Sequence, residues 1–186
     1  MTIPSAPNSS GKKPFLYVVV CACDVAGRVG KLITAAQERD WDVGVIATPQ
    51  GLDFFDPETV EALTGYPVRS SWRTTGRSPL PPPDAIAVAP ASFNTVNKWA
   101  AGISDTLALG VLCEAYGTYT PTAVLPYVSE AQAAHPAYRR NLKQLSGMGV
   151  LIGTYRAHRP DSGGEADSFR WEKALDLLEP KVARMR

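Results

Sequence analysis

Residues 85–95 read Ala85-Ile86-Ala87-Val88-Ala89-Pro90-Ala91-Ser92-Phe93-Asn94-Thr95. An apolar run from Ala85 to Ala89 ends in Pro90 and gives way to small polar residues, then to a helix carrying Lys98, with Asp105 behind it. A strand buried on both faces and feeding directly into a helix start is the pattern of a parallel α/β sheet with an anion-binding turn. Backbone N–H groups at such a start point at an anion, and small hydroxyl side chains let it approach. Ser92 and Thr95 meet that need and Lys98 adds charge one turn later; Ser92 and Asn94 serve equally well as ordinary helix caps. The pattern points to a nucleotide-like ligand.

Outward from this segment, strands and helices alternate. Phe15 to Cys21 is a Val-rich apolar run, Ala26 to Arg39 carries Val29, Leu32, Ile33 and Ala36 at helical spacing, and Val43 to Thr48 is a second apolar run, which makes a βαβ unit. Pro57 to Leu63 reads as a short helix capped by Asp56 and ended by Gly65. Arg69 to Pro83 has no periodicity and reads as a surface loop. Helices are expected over Asn94 to Ala101 and over Asp105 to Tyr116, the second capped by Ser104 and buried through Ile103, Leu107, Val111, Ala108, Leu112 and Ala115. Thr122 to Leu125 and Gly149 to Ile152 read as strands, Tyr138 to Leu145 as a helix, Arg159 to Asp167 as a polar loop, and Phe169 to Arg184 as a closing helix that Pro180 kinks or splits. The expectation is a single-domain α/β fold, a three-layer αβα, Rossmann-like (flavodoxin-like) parallel sheet over residues 14–186, behind a disordered segment at residues 1–13. Ligands of such sheets sit at the carboxyl ends of the strands, where Ala22 to Arg28, Thr48 to Phe54 and Pro90 to Lys98 converge.

Composition narrows the function classes. A formal charge of +1 over 186 residues offers no basic footprint for nucleic acid. No apolar run approaches the ~20 residues of a membrane span, and residues 1–13 lack a secretory apolar core. The cysteines, Cys21, Cys23 and Cys113, form neither a disulfide framework nor a metal-ligand spacing, so no metal is expected and a cytoplasmic setting is the default. Gly27 and Gly30 do not complete a dinucleotide fingerprint, which leaves a nicotinamide cofactor little support. Arg28 reads as a phosphate partner or as a solvated charge. Asp24 would repel a phosphate and is better suited to accept hydrogen bonds from a flavin or ribose. Cys23 sits where a helix start depresses a thiol pKa, or is simply a small buried residue. His135 and His158 read as surface residues, Trp99 as core, and Trp72 as either loop surface or a stacking group.

The segment Ala89 to Thr95, followed by Lys98, Gly102, Asp105 and Leu107, resembles the Pro-Ala-Ser-Ala-Asn-Thr signature of the homo-oligomeric flavin-containing cysteine decarboxylases. Val18 to Ile33, Thr48 with Phe54, Leu63-Thr64-Gly65, Pro67-Val68 and Asn141-Leu142 extend the resemblance over Phe15 to Leu151. It implies FMN held between subunits of a trimer or a multiple of trimers, and oxidation of a terminal cysteine moiety of a small-molecule or peptide substrate, followed by loss of carbon dioxide. By position it implies FMN contacts at Cys23, Asp24, Thr48, Ser92, Phe93, Asn94, Thr95 and Lys98. The departures fall on the catalytic parts. Gly76, Arg77 and Ser78 occupy the place of the family's catalytic His. The substrate clamp keeps only Pro126, with Ser129 where an Asn holds the substrate carboxylate. A site stripped of a specific donor loses orders of magnitude in discrimination. The resemblance therefore implies a flavoenzyme of non-standard specificity, an FMN-binding subunit without catalysis of its own in a mixed oligomer, or an α/β domain that has lost its flavin.

Overall fold

The computed structural model describes residues 13–72, 79–154, 157–159 and 167–184. Residues 1–12, Arg73, and Gly76, Arg77 and Ser78 lie outside the described residues, as does most of the polar loop expected between Arg159 and Asp167.

Five strands form one parallel sheet: β1 (Phe15–Val20), β2 (Asp42–Ala47), β3 (Ala85–Ala91), β4 (Thr122–Pro126) and β5 (Leu151–Ile152), in the order β2-β1-β3-β4-β5. This is the flavodoxin-like order, whose direction reverses between β1 and β3. Every residue of β3 is buried, as a central strand covered on both faces requires. The flanking helices are α1 (Gly30–Glu38), α2 (Pro57–Thr64), α3 (Phe93–Ala100), α4 (Leu107–Gly117), α5 (Glu130–Ala134), α6 (Pro136–Gly147) and α7 (Lys173–Val182). Leu32, Ile33 and Ala36 turn α1 inward, and α7 packs Leu175 and Leu178 onto β3 and β4. Among the described residues no helix is long and apolar enough to cross a membrane.

The α/β architecture agrees with the sequence reading, and several boundaries differ. β3 does not stop at Pro90 but runs to Ala91, and the Ala89–Pro90 peptide is cis. Pro90 has no N–H to give, yet its carbonyl accepts from Cys21 N–H at 3.1 Å and the Ala91 carbonyl accepts from Tyr127 N–H at 2.9 Å, so the strand stays paired on both sides. Thr106, not Ser104, caps α4, its Oγ1 accepting from Leu109 N–H at 3.3 Å, and Ile103 is left 43% exposed before the helix begins. The short helix α5 was not foreseen; Ser129 and Gln132 build a reciprocal capping box for it. The last helix begins at Lys173, because Phe169 and Trp171 are spent on a buried edge-to-face contact with ring centroids 4.7 Å apart. Pro180 does not split it. The missing N–H falls near the end of the helix, which continues until Ala183 N–H bonds the Glu179 carbonyl at 2.9 Å.

Candidate functional site

The site is assembled by the chain segments that leave the carboxyl ends of the strands. After β1, Cys21 and Cys23 are buried and Asp24 is exposed. Burial, reinforced by Cys21 and Asp24, pushes the Cys23 thiol far above its ordinary value, so it is a protonated packing group and not the activated thiolate that a helix start alone suggests. Its sulfur lies 3.9 Å from the Tyr127 carbonyl. Arg28 pairs with Asp167 at the surface, in keeping with the second of its two readings, a solvated charge.

After β2, the Thr48 N–H donates to the Val20 carbonyl at 2.9 Å, and Thr48 Oγ1 accepts from Gly51 N–H at 3.1 Å, capping a tight turn over Pro49–Phe54. That turn is drawn so close to β1 that a Cβ at Gly51 would stand 2.7 Å from the Val20 carbonyl oxygen. Only glycine permits the approach.

After β3, Ser92 is extended and its Oγ accepts from Thr95 N–H at 3.3 Å, the cap that starts α3. Phe93 is stacked on Tyr138 with centroids 5.8 Å apart and meets the edge of His135 at 5.7 Å. Lys98 Nζ is held 2.5 Å from Asp105 Oδ2, so its charge enters the site already partnered. Trp99 is core, its Nε1 donating to the Leu112 carbonyl at 3.2 Å. Trp72 lies against α4 at Gly110, where an added Cβ would come within 2.4 Å of the indole.

These segments enclose a cleft of about 560 Å³, within the ~300–1,000 Å³ range of small-molecule and cofactor sites. Cys23, Asp24, Thr48, Ser92, Phe93, Asn94, Thr95 and Lys98 all line it. Pro126 is instead buried at the end of β4, opposite Ala91, and the Ser129 hydroxyl accepts from Gln132 N–H at 3.2 Å, engaged in its cap. The cleft takes Tyr127 and Gln132 from that segment. It also takes His158, which corrects the reading of that residue as surface. The imidazole stacks on Tyr127 with centroids 4.5 Å apart and planes 25° apart. Its backbone is clamped, His158 N–H donating to the Val128 carbonyl at 3.2 Å and the His158 carbonyl accepting from Glu130 N–H at 2.9 Å. That parallel bridge joins segments distant in sequence, so no local pattern announces it. His135 is exposed, its Nδ1 accepting from Ala137 N–H at 3.1 Å. Burial, then Asp24 and Cys23, raise the Tyr127 phenol, which is therefore a neutral wall of the cleft.

A second cleft of similar size, about 520 Å³, lies at the amino ends of β4 and β5 and is lined largely by apolar side chains such as Leu112, Met148 and Val150. Size does not separate the two. The fold does, because ligands of open parallel sheets bind at the carboxyl ends of the strands, at the point where the strand order reverses.

Known proteins share this fold. The bifunctional coenzyme A biosynthesis protein CoaBC of Escherichia coli strain K12 is 30% identical over 164 residues, which is 84% of this chain and 38% of that protein. The chain thus spans well under half the length of that relative. The phosphopantothenoylcysteine decarboxylase of Arabidopsis thaliana is 27% identical over 155 residues, 78% of this chain and 73% of the relative. Among solved structures, a mutant PPC decarboxylase complexed with pantothenoylaminoethenethiol superposes with a TM-score of 0.71 at 21% identity, covering 94% of this chain and 100% of that one. The FMN-dependent cysteine decarboxylase SpaF gives 0.71 at 23% identity, covering 92% and 98%. At those identities the structural likeness speaks for the fold. The model of the Flavoprotein family matches residues 4–179, the whole of the sheet and every segment that lines the cleft, and the chain belongs to that family.

Proposed function

We propose that the cleft binds FMN and that the protein is a flavin-dependent enzyme acting on a small-molecule or peptide substrate of non-standard specificity. The observation that carries this is the convergence of the implied contacts, Cys23, Asp24, Thr48, Ser92 to Thr95 and Lys98, on one cleft at the β1/β3 reversal. The residues fit the group. The start of α3 offers backbone N–H groups and the Thr95 hydroxyl to a phosphate, small side chains (Ala22, Ser92) leave room for it, and Thr48 and Asp24 supply polar atoms on the neighbouring loops. Tyr127, Phe93 and Phe54 give a flat aromatic ring apolar walls.

When bound, FMN supplies the redox chemistry, accepting electrons from the substrate. The chain's own residues do the rest. Thr95, oriented by Ser92, anchors one end of the ligand. Lys98 and Asp105, already paired, add little net charge. The Tyr127–His158 stack places the one imidazole among the lining residues at the cleft wall, where it is able to hold or pass a proton. Asp24 sets a carboxylate in the same cleft, which disfavours an anionic substrate end there. Ser129 is absent from the cleft lining, so its hydroxyl is not presented there as a carboxylate donor.

That last observation also supports a second reading, a non-catalytic FMN-binding subunit of a mixed oligomer. Under either reading we expect an oligomer, a homotrimer or a multiple of trimers in the first case. A visible spectrum of the freshly purified protein, with the mass of the ligand released on denaturation, tests FMN binding. A yellow protein releasing FMN is expected; a colourless protein that takes up no added FMN overturns the proposal. Anaerobic bleaching of the bound flavin by candidate thiols and peptides then tests catalysis, and mass photometry reports the assembly.

A further inference from the structure

Beneath the start of α3, Cys21, Ser92 and Thr95 form a compact hydrogen-bonded set that capping alone does not explain. Cys21 is fully buried at the end of β1, and its thiol donates to Thr95 Oγ1 at 3.2 Å. Ser92 Oγ donates to the same oxygen at 3.1 Å. The Cys21 sulfur also interacts with the Ser92 backbone N–H and hydroxyl. Burial raises the Cys21 thiol, so it stays protonated and keeps a hydrogen to give. A hydroxyl oxygen has two acceptor positions and one proton. At Thr95 both acceptor positions are filled from below, and the residue is 4% exposed while lining the cleft.

We propose that Cys21 is a positioning residue for phosphate recognition: with Ser92 it fills the acceptor positions of Thr95 Oγ1 and so commits the Thr95 O–H to donate into the cleft, to the phosphate monoester of the ligand. A thiol is a weak donor, and its contribution here is orientation. The inference rests on the FMN reading above and goes beyond it, because it ties selection of the phosphorylated flavin over the bare one to a residue outside the cleft lining.

The test is the ratio of affinities for FMN and for riboflavin, which lacks the phosphate, measured by fluorescence-quenching titration of the full chain. Cys21→Val preserves bulk and removes the donor; Cys21→Ser keeps a donor. Cys21→Val is expected to lower the ratio about tenfold, the size of one hydrogen bond to a charged group, with riboflavin affinity unchanged. Cys21→Ser is expected to hold the ratio within about threefold of wild type. Thr95→Val should reproduce the fall, and the Cys21→Val/Thr95→Val double variant should fall no further. If Cys21→Val does not fold by circular dichroism, Cys21→Ser and Thr95→Val carry the test. A Cys21→Val ratio equal to wild type, an equal weakening of both ligands, or a Cys21→Ser ratio as low as that of Thr95→Val overturns the proposal. A wild type that binds both flavins equally overturns it while leaving flavin binding intact; a wild type that takes up neither overturns the FMN reading first.

Discussion

Single residues carry the electrostatics. Asp24 is an exposed carboxylate in a cleft whose lysine is already neutralised by Asp105. Asp24→Asn should tighten FMN binding by roughly fivefold at low ionic strength, about 1 kcal/mol, the scale of one exposed like-charge interaction. The gain should fade as salt is raised past a Debye length of ~8 Å; equilibrium titration at two salt concentrations measures it, and a salt-independent gain would speak against a charge effect. At the far side of β2, Asp56 caps α2, accepting from the Glu58 and Thr59 N–H groups at 3.2 Å each and from the Thr59 hydroxyl. The Thr59 hydroxyl first, then the backbone N–H groups, hold its pKa below the ordinary carboxylate value. The folded state therefore prefers the ionised form. Its stabilisation is complete above the unfolded value of about 3.9 and is lost as pH falls through the lower folded value. Asp56→Ala should melt earlier than wild type near neutrality, with the gap closing as pH is lowered toward about 2; thermal melts across that range decide it. Both aspartates were legible in the sequence, Asp56 as a cap before Pro57 and Asp24 as an anomaly in a phosphate-facing loop. His158 was not, because its place depends on a non-local backbone bridge to Ser129.

Elements fix how closely the loops approach one another. The turn over Pro49–Phe54 lies against β1 only because Gly51 has no side chain. Gly51→Ala should cost about 1–3 kcal/mol by overpacking against an immobile carbonyl, and should push Thr48 and Phe54 outward, weakening FMN uptake together with stability; denaturant melts and flavin titration read the two effects. Element types followed from hydrophobic periodicity, which the strong apolar runs of β1 and β3 made unambiguous. The ends were harder. The β3 terminus depended on carbonyl partners supplied by β1 and β4, and α5 is too short for any period to show, its capping box being the one local sign.

At the scale of the whole molecule one contiguous core ties α1, the sheet and α7 together. Leu178, fully buried in α7, faces strands that end in the cleft. Leu178→Ala should cost about 2–5 kcal/mol and keep a single cooperative transition, with far-ultraviolet circular dichroism and tryptophan fluorescence coinciding; separate midpoints would show that α7 unfolds independently. The strand order and the meeting of the loops could be argued from alternation of elements alone, since parallel sheets leave few topologies. The contents of the cleft beyond those loops could not, because Tyr127 and His158 meet through tertiary stacking. The carbonyls of Pro90 and Ala91, which grip Cys21 and Tyr127, are the last rungs of the sheet and stand directly behind Ser92 and Tyr127 of the cleft wall. An occupant of that cleft would brace the carboxyl end of the central strand as a keystone braces an arch, so damage deep in the interior should be felt as a loosened grip well before the chain comes apart.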